Sequence, residues 1–386
     1  MNKKNFVSIL GSTGSIGKQT LSIIKEQSDK FKVESLAAGK NISLLLKQVS
    51  EFKPKNISIE SKKDKLLLEK NPLLKKIKIF NGDEGLKKIA NSKTIKSLVV
   101  ATAGVNGLIP TIDCLKQGKR VCIASKEVFL LYGKQIMKIA SKNNAEIIPI
   151  DSEHSALFQL IANEPTENIR RLYITASGGP FFNKKRKELE NVKPRDALKH
   201  PTWNMGKKIS IDSATMMNKA IEIIEASIMF DINHKMITPI VNLDSNIHAI
   251  AEFIDGTYSI SGSYNDMRIP ISYSLNYPLR QNKKKYKFEI QKKIELIPIK
   301  EKDYEAIRIA RRAIEIGGTM PAIMNAANST AVNQFLNNKI EFLDIYRVIK
   351  KTMKNNIPKH NASLKEVIKI NKVASEDAFR ISNQLY

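Results

Sequence analysis

Two short stretches combine residue types that do chemistry together. Asp151-Ser152-Glu153 follows the apolar run EIIPI at 146–150. In an extended segment residues i and i+2 point to one side, so both carboxylates can face a single point. Paired anionic oxygens need a cation, and oxygen ligands suit Mg²⁺ or Mn²⁺. The competing reading makes these acids the caps of a helix that begins near His154. The second stretch is Ser213-Ala-Thr-Met-Met-Asn218-Lys219-Ala-Ile-Glu222. A helix over 215–229 puts Asn218, Lys219 and Glu222 on one face, with Ser213 just ahead of it. A hydroxyl, an amide and an ammonium beside a helix start suit a phosphate, and Glu222, one turn on, can add a third oxygen to a metal. Glu225 lies close by, but Glu222 follows Asn218 by four. A solvated polar face accounts for the same spacing.

Gly11-Ser-Thr-Gly14-Ser-Ile-Gly17 sits between the strand-like run FVSIL at 6–10 and a helical pattern. Glycines there let the backbone turn tightly and approach a pyrophosphate, which the helix start favours electrostatically. The next strand ends Ala37-Ala38-Gly39-Lys40-Asn41 and offers no carboxylate to a ribose 2′-hydroxyl, whereas Lys40 suits a 2′-phosphate, so the expected dinucleotide is NADPH. The alternative leaves Lys40 as one more surface lysine. Ser177-Gly-Gly-Pro180 supplies a hydroxyl and exposed amides. His200-Pro-Thr-Trp203-Asn-Met205-Gly206 carries the one tryptophan of the chain and reads either as a lid over a small substrate or as a loop anchored by Trp203. His154, His234 and His360 have no evident partners and are expected at the surface or at helix ends.

The elements that position these residues follow from periodicity. Strands are expected at 6–10, 33–37, 56–60, 76–80, 97–102, 120–124 and 146–150, with helices between most of them, such as 41–52 and 126–141. Strand and helix in alternation give a parallel, doubly wound sheet covered on both faces. After Asp151 the pattern changes to a helix at 154–162, a strand at 171–175, a lid loop at 199–208, a second strand, and the helix at 215–229. Two alternating runs then flank Asp255-Gly256 as a hairpin. This gives an α+β region over 151–285. The Lys-rich segment 281–300 reads as a connecting arm, with the linker placed at 286–302, and 303–386 as a helical domain with patterns at 303–316, 321–337, 341–354 and 374–384. The first 150 residues are the dinucleotide-binding domain.

At 386 residues and 42% hydrophobic composition the chain is long enough for two or three packed domains. The net charge of +26 favours anionic partners, although lysines spread over nearly every segment also simply dress the surface. A nucleic-acid binder would interleave aromatic residues with its cations, but aromatics make up 6% and none clusters with the lysines. No apolar run is long enough for a membrane span. The two cysteines, Cys114 in a helix and Cys122 in a strand, are expected as reduced, buried thiols. After Met1-Asn-Lys-Lys4 the first strand begins, which leaves no room for a leader, so a cytoplasmic location is expected.

These motifs together resemble the 1-deoxy-D-xylulose 5-phosphate reductoisomerase family. The resemblance runs through GSTGSIG at 11–17, AGKN at 38–41, SKE at 125–127, DSEH at 151–154, SGGPF at 177–181, HPTWNMG at 200–206, DSATMMNKAIE at 212–222 and NAAN at 325–328. It implies a Rossmann-like N-terminal domain, a central α+β catalytic domain and a C-terminal helical domain, working as a homodimer. Asp151, Glu153 and Glu222 would bind one divalent metal. Ser177, Ser213, Asn218 and Lys219 would hold the substrate phosphate, and Lys126 and Ser152 its other oxygens. His200, Trp203 and Met205 would form the lid. Thr13, Gly14, Ser15, Ile16, Gly39, Lys40, Asn41, Ser125, Glu127, Met205 and Gly206 would line the NADPH site, with Ser245 and His248 further substrate contacts. The implied catalytic set is Lys126, Asp151, Glu153, Glu222 and His200. The implied reaction is a metal-assisted skeletal rearrangement by a retro-aldol/aldol or ketol route, then hydride transfer from NADPH, giving 2-C-methyl-D-erythritol 4-phosphate. Three places depart from the family pattern: Asn242-Leu-Asp244 stands for His-Pro-Gln, Ser125 for Asn, and Ser329 for Glu. Two alternatives stand beside this reading. One is a diverged paralogue; the other is a different NADPH-dependent reductase of a small phosphorylated substrate, with Asp151 and Glu153 as acid/base groups.

Overall fold

The computed structural model describes residues 4–203, 205–282, 286 and 293–385. Residues 287–292 of the expected linker and Asn204 of the expected lid lie outside them. The chain divides into two compact units: Met1–Val128 with Lys134–Ser155 and Asp266–Lys287, and Phe129–Gly133 with Ala156–Asn265 and Phe288–Tyr386.

The first unit is built on seven strands: β1 (Asn5–Leu10), β2 (Phe31–Ala38), β3 (Asn56–Ile59), β4 (Lys78–Asn81), β5 (Ile95–Val100), β6 (Arg120–Ile123) and β7 (Ile147–Pro149). Their order is β4-β3-β2-β1-β5-β6-β7, parallel throughout. β1, β2, β5 and β6 are buried along most of their length, as a sheet with helices on both faces demands. The strand order reverses at β1, whose neighbours are β2 and β5. That switch point is where such sheets bind ligands, beyond the carboxyl ends of the strands. The helix Ser15–Glu26 opens there, and β7 ends two residues before Asp151. Cys114 and Cys122 are free, buried thiols in the helix Leu108–Leu115 and in β6. Burial pushes their pKa values up to about 12 and about 11.

The second unit carries a mixed sheet of β8 (Ile169–Ala176), β9 (Ile237–Val241), β10 (Ile247–Phe253), β11 (Tyr258–Gly262) and β12 (Ile297–Pro298), in the order β11-β10-β8-β9-β12. β10 and β11 form the hairpin expected around Asp255-Gly256. β12 arises inside the segment expected to be only a connecting arm and pairs with β9. The helices Glu305–Ile316, Met320–Leu336, Asp344–Asn355 and Leu364–Asn383 follow. Met320–Leu336 is buried over most of its surface, which places it at the centre of the bundle.

Three expectations are overturned. The strand expected just after residue 208 is instead the helix Lys207–Ala214. Its β-branched alternation is outweighed by three consecutive buried positions, Ser210, Ile211 and Asp212, and by a Lys208–Asp212 ion pair one turn apart. The segment at Asp151 is not extended through Glu153, because a helix Ser152–Ile161 begins at once. Last, His154 is buried and bonded to Asp151. Among the described residues no helix is long and apolar enough to cross a membrane.

Candidate active site

In the first unit the glycine turn is fixed by steric necessity. Gly11 has φ +84, and a Cβ there would lie 2.3 Å from the Ala101 carbonyl oxygen. A Cβ on Gly17 would lie 2.3 Å from the Gly11 carbonyl oxygen. Gly14 caps the helix Ser15–Glu26 without any side-chain bond to its first amides, which leaves that positive helix end for an anion. Thr13 and Ile16 are half-buried beside it, whereas Gly14 and Ser15 are exposed. Ser12 and Gln48 lock the turn from behind. Ser12 Oγ donates to Gln48 Oε1 at 2.8 Å, and Gln48 Nε2 donates to the Ser12 carbonyl at 2.9 Å. The motif gave no hint of Gln48, because its partner is 36 residues away.

Gly39, Lys40 and Asn41 follow β2 and are exposed. Asn41 Oδ1 accepts from Leu44 N at 3.1 Å and so caps the helix Ile42–Phe52. The Ser125 hydroxyl is turned into the protein, donating to the Thr102 carbonyl at 2.5 Å. Ser125 also stands at the start of the helix Lys126–Lys142, with Lys126 and Glu127 half-buried in its first turn.

Asp151 is held by two basic side chains. Lys126 Nζ stands 2.9 Å from its Oδ1, and His154 Nδ1 donates to Oδ2 at 2.8 Å. Burial works to raise its pKa, but the Lys126 ammonium and the His154 ring outweigh burial and hold the carboxyl well below the usual range. Ser152 Oγ donates to Glu153 Oε2 at 2.7 Å. The spacing Asp151 to His154 was the available signal for this contact.

In the second unit the phosphate candidates gather at one end of β8. Ser177 follows that strand, and Gly178 and Gly179 both take positive φ, +85 and +65. A Cβ on Gly179 would stand 2.9 Å from the Ser213 carbonyl oxygen and 3.3 Å from its Oγ, so the glycine brings the Ser177 loop against Ser213. The helix Met217–Met229 starts just beyond, after Met216 in the left-handed region at φ 59, with Asn218 and Lys219 in its first turn. Asn218 Nδ2 donates to Glu222 Oε1, and the Lys219 ammonium pairs with Glu222 Oε2. Glu222 is wholly buried, as the i+3 and i+4 spacing requires of an acid facing inward. An ammonium thus neutralises Asp151 in the first unit and another neutralises Glu222 in the second, and carboxylate oxygens of either kind suit a hard divalent cation.

His200 anchors the loop at 199–208. Its Nδ1 accepts from Thr202 N at 3.1 Å and Trp203 N at 2.9 Å, while Nε2 meets Ser177 Oγ at 2.9 Å. Trp203 and Met205 are half-buried and Gly206 is exposed. Ser245, at φ 53, is held in a turn that Asn242 organises: Asn242 Oδ1 accepts from Asn246 N at 3.0 Å and Ile247 N at 3.1 Å. The departure at 242 therefore keeps a side chain able to shape the turn. His248 is buried with Nε2 3.0 Å from Ser263 Oγ.

Comparison with known proteins agrees along nearly the whole chain. Residues 7–133 match the family described as 1-deoxy-D-xylulose 5-phosphate reductoisomerase, 147–230 its C-terminal domain, and 263–376 the DXP reductoisomerase C-terminal domain. The 1-deoxy-D-xylulose 5-phosphate reductoisomerase of Caldanaerobacter subterraneus subsp. tengcongensis is 40% identical over 375 residues, covering 96% of this chain and 98% of that protein. The solved reductoisomerase from Zymomonas mobilis in complex with NADPH is 32% identical at a TM-score of 0.91, covering 98% of this chain and 99% of that one. A second solved reductoisomerase, in complex with NADPH, fosmidomycin and magnesium, is 30% identical at a TM-score of 0.90, covering 99% and 98%. The chain belongs to the 1-deoxy-D-xylulose 5-phosphate reductoisomerase family.

Proposed function

We propose that this protein converts 1-deoxy-D-xylulose 5-phosphate into 2-C-methyl-D-erythritol 4-phosphate, with NADPH and one divalent metal, in the supply of isoprenoid precursors. The observation that carries the reading is the close approach of the Ser177-Gly178-Gly179 loop to Ser213 beside the helix start bearing Asn218 and Lys219, a cluster of donors suited to a phosphate.

In this reading Ser177, Ser213, Asn218 and Lys219 bind the substrate phosphate. That handle is remote from the reacting carbons and fixes their orientation. Lys126 and Ser152 hold the substrate's oxygens, with Ser245 and His248 beside them. His200, Trp203 and Met205 close the 199–208 loop and exclude water. Thr13, Gly14, Ser15, Ile16, Gly39, Lys40, Asn41, Ser125, Glu127, Met205 and Gly206 line the NADPH site, and Lys40 meets the 2′-phosphate. Asp151, Glu153 and Glu222 hold the ion. Bound there, Mg²⁺ or Mn²⁺ supplies Lewis-acid polarisation of the substrate's ketone and neighbouring hydroxyl, and NADPH supplies the hydride. Residues 1–150 serve the cofactor, 151–285 the substrate and metal, 286–302 link, and 303–386 form the helical domain. The working form is a cytoplasmic homodimer with no nucleic-acid or membrane partner.

Incubating the purified protein with NADPH, Mn²⁺ and 1-deoxy-D-xylulose 5-phosphate tests this. NADPH loss matched by 2-C-methyl-D-erythritol 4-phosphate is expected; no oxidation above background rejects the reading.

A further inference from the structure

The NAAN stretch at 325–328 takes no part in the site described so far. It lies on the central helix Met320–Leu336, and Asn328 has no exposed surface. Its Nδ2 donates to Asp212 Oδ1 at 2.8 Å. The opposite amide orientation would set oxygen against carboxylate, so Asp212 fixes which way Asn328 points. The other oxygen of Asp212 accepts from Lys208 Nζ at 2.7 Å. Asp212 directly precedes Ser213.

A second tether reaches the same place. Tyr346, on the helix Asp344–Asn355, donates its hydroxyl to the Thr215 carbonyl at 3.0 Å. Burial pushes the pKa of this phenol up, which keeps it a donor. Between Thr215 and the helix Met217–Met229 stands Met216 at φ 59. A bulky side chain seldom takes that conformation, and it persists only where its surroundings impose it. The link between the helix ending at Ala214 and the helix starting at Met217 is thus strained, with a buried hydrogen bond at Asp212 and another at Thr215.

We propose that Asn328 and Tyr346 are positioning residues for the phosphate pocket: Asn328 holding Asp212 on one side of Ser213, and Tyr346 holding Thr215 on the other, set Ser213 against Asn218 and Lys219. The inference rests on the phosphate-holding role given to those three residues above. It gives the C-terminal helices a part in substrate affinity that no contact with substrate would disclose.

Tyr346→Phe removes one oxygen and keeps the ring. Steady-state kinetics and calorimetric titration with inorganic phosphate are compared between this variant and the wild type. The expected result is a rise of about fivefold in both the substrate KM and the phosphate Kd, the loss of one net hydrogen bond, with kcat and the NADPH KM unchanged. Asn328→Asp has the same shape but faces Asp212 with a second acid, and is expected to weaken phosphate binding further. Where that variant does not fold, Tyr346→Phe decides alone. A Tyr346→Phe protein that melts earlier yet keeps wild-type phosphate Kd and substrate KM overturns the proposal, because the tether then serves stability only. A wild type that turns over substrate but shows no phosphate affinity also overturns it while leaving the proposed reaction standing; one that does neither removes both.

Discussion

Ser177 Oγ lies 2.9 Å from His200 Nε2, and the opposite ring nitrogen accepts two backbone N–H groups, from Thr202 and Trp203. Because Nδ1 is an acceptor, the ring is neutral with its proton on Nε2, which donates to the serine. One imidazole therefore ties the start of the 199–208 loop to the residue that opens the Gly178-Gly179 turn.

That arrangement sets a pH dependence. Protonating Nδ1 would aim a third N–H at two others, and burial already lowers the His200 pKa from 6.5. A histidine depressed in the fold contributes fully above its unfolded value and loses that contribution as pH falls through the folded one. The substrate KM of the wild type is expected to rise as pH falls through the folded His200 pKa, which lies below 6.5, while the NADPH KM stays flat. In His200→Gln that limb should vanish, with KM already raised about tenfold at neutral pH. Equal acid limbs in both proteins would separate His200 from loop closure.

Gly14 and Gly17 differ in what a methyl group does to stability. A Cβ on Gly17 meets backbone at 2.3 and 2.5 Å, so Gly17→Ala should lower the melting temperature and NADPH affinity together. A Cβ on Gly14 has one neighbour, the Gly11 carbonyl oxygen at 3.3 Å. Gly14→Ala should keep the wild-type melting curve and weaken NADPH alone, by about tenfold or more. Fluorescence titration beside thermal melts reads both quantities, and a Gly17→Ala protein indistinguishable from wild type would refute the packing argument.

In the proposed function cofactor choice rests on Lys40, exposed two residues beyond β2. Lys40→Ala should cost about 1–3 kcal/mol of NADPH affinity, the range of a charge-assisted hydrogen bond, and leave NADH affinity alone. An unchanged NADPH-to-NADH ratio of kcat/KM would move the 2′-phosphate contact to another cation.

Much of this was legible in the chain because its signals are local. Glycine spacing marks the turn after β1, and the i+3 and i+4 spacing of Lys219 and Asn218 to Glu222 emerges as two direct contacts. Most of the misses are non-local, and the i, i+3 pairing of His154 with Asp151 is the local one. His154 reads as a surface residue until Asp151 is seen against it, and Gln48 has no meaning without Ser12. The Lys207–Ala214 helix reads as a strand because its alternating Ile and Ser residues mimic one, while Asp212 finds a partner at Asn328, 116 positions along. Tertiary bonding overrode local pattern there.

The central claim is that Asp151, Glu153 and Glu222 hold the one ion that turnover needs, and Glu222→Gln tests it most directly. Glu222 is buried and already hydrogen-bonded to Asn218, so the amide keeps the shape and removes the charge. Metal-stripped wild type should recover NADPH oxidation when Mn²⁺ is titrated in. The variant should stay at least about 100-fold slower at saturating Mn²⁺, with NADPH binding intact. Near-normal, Mn²⁺-dependent turnover by Glu222→Gln would contradict the account.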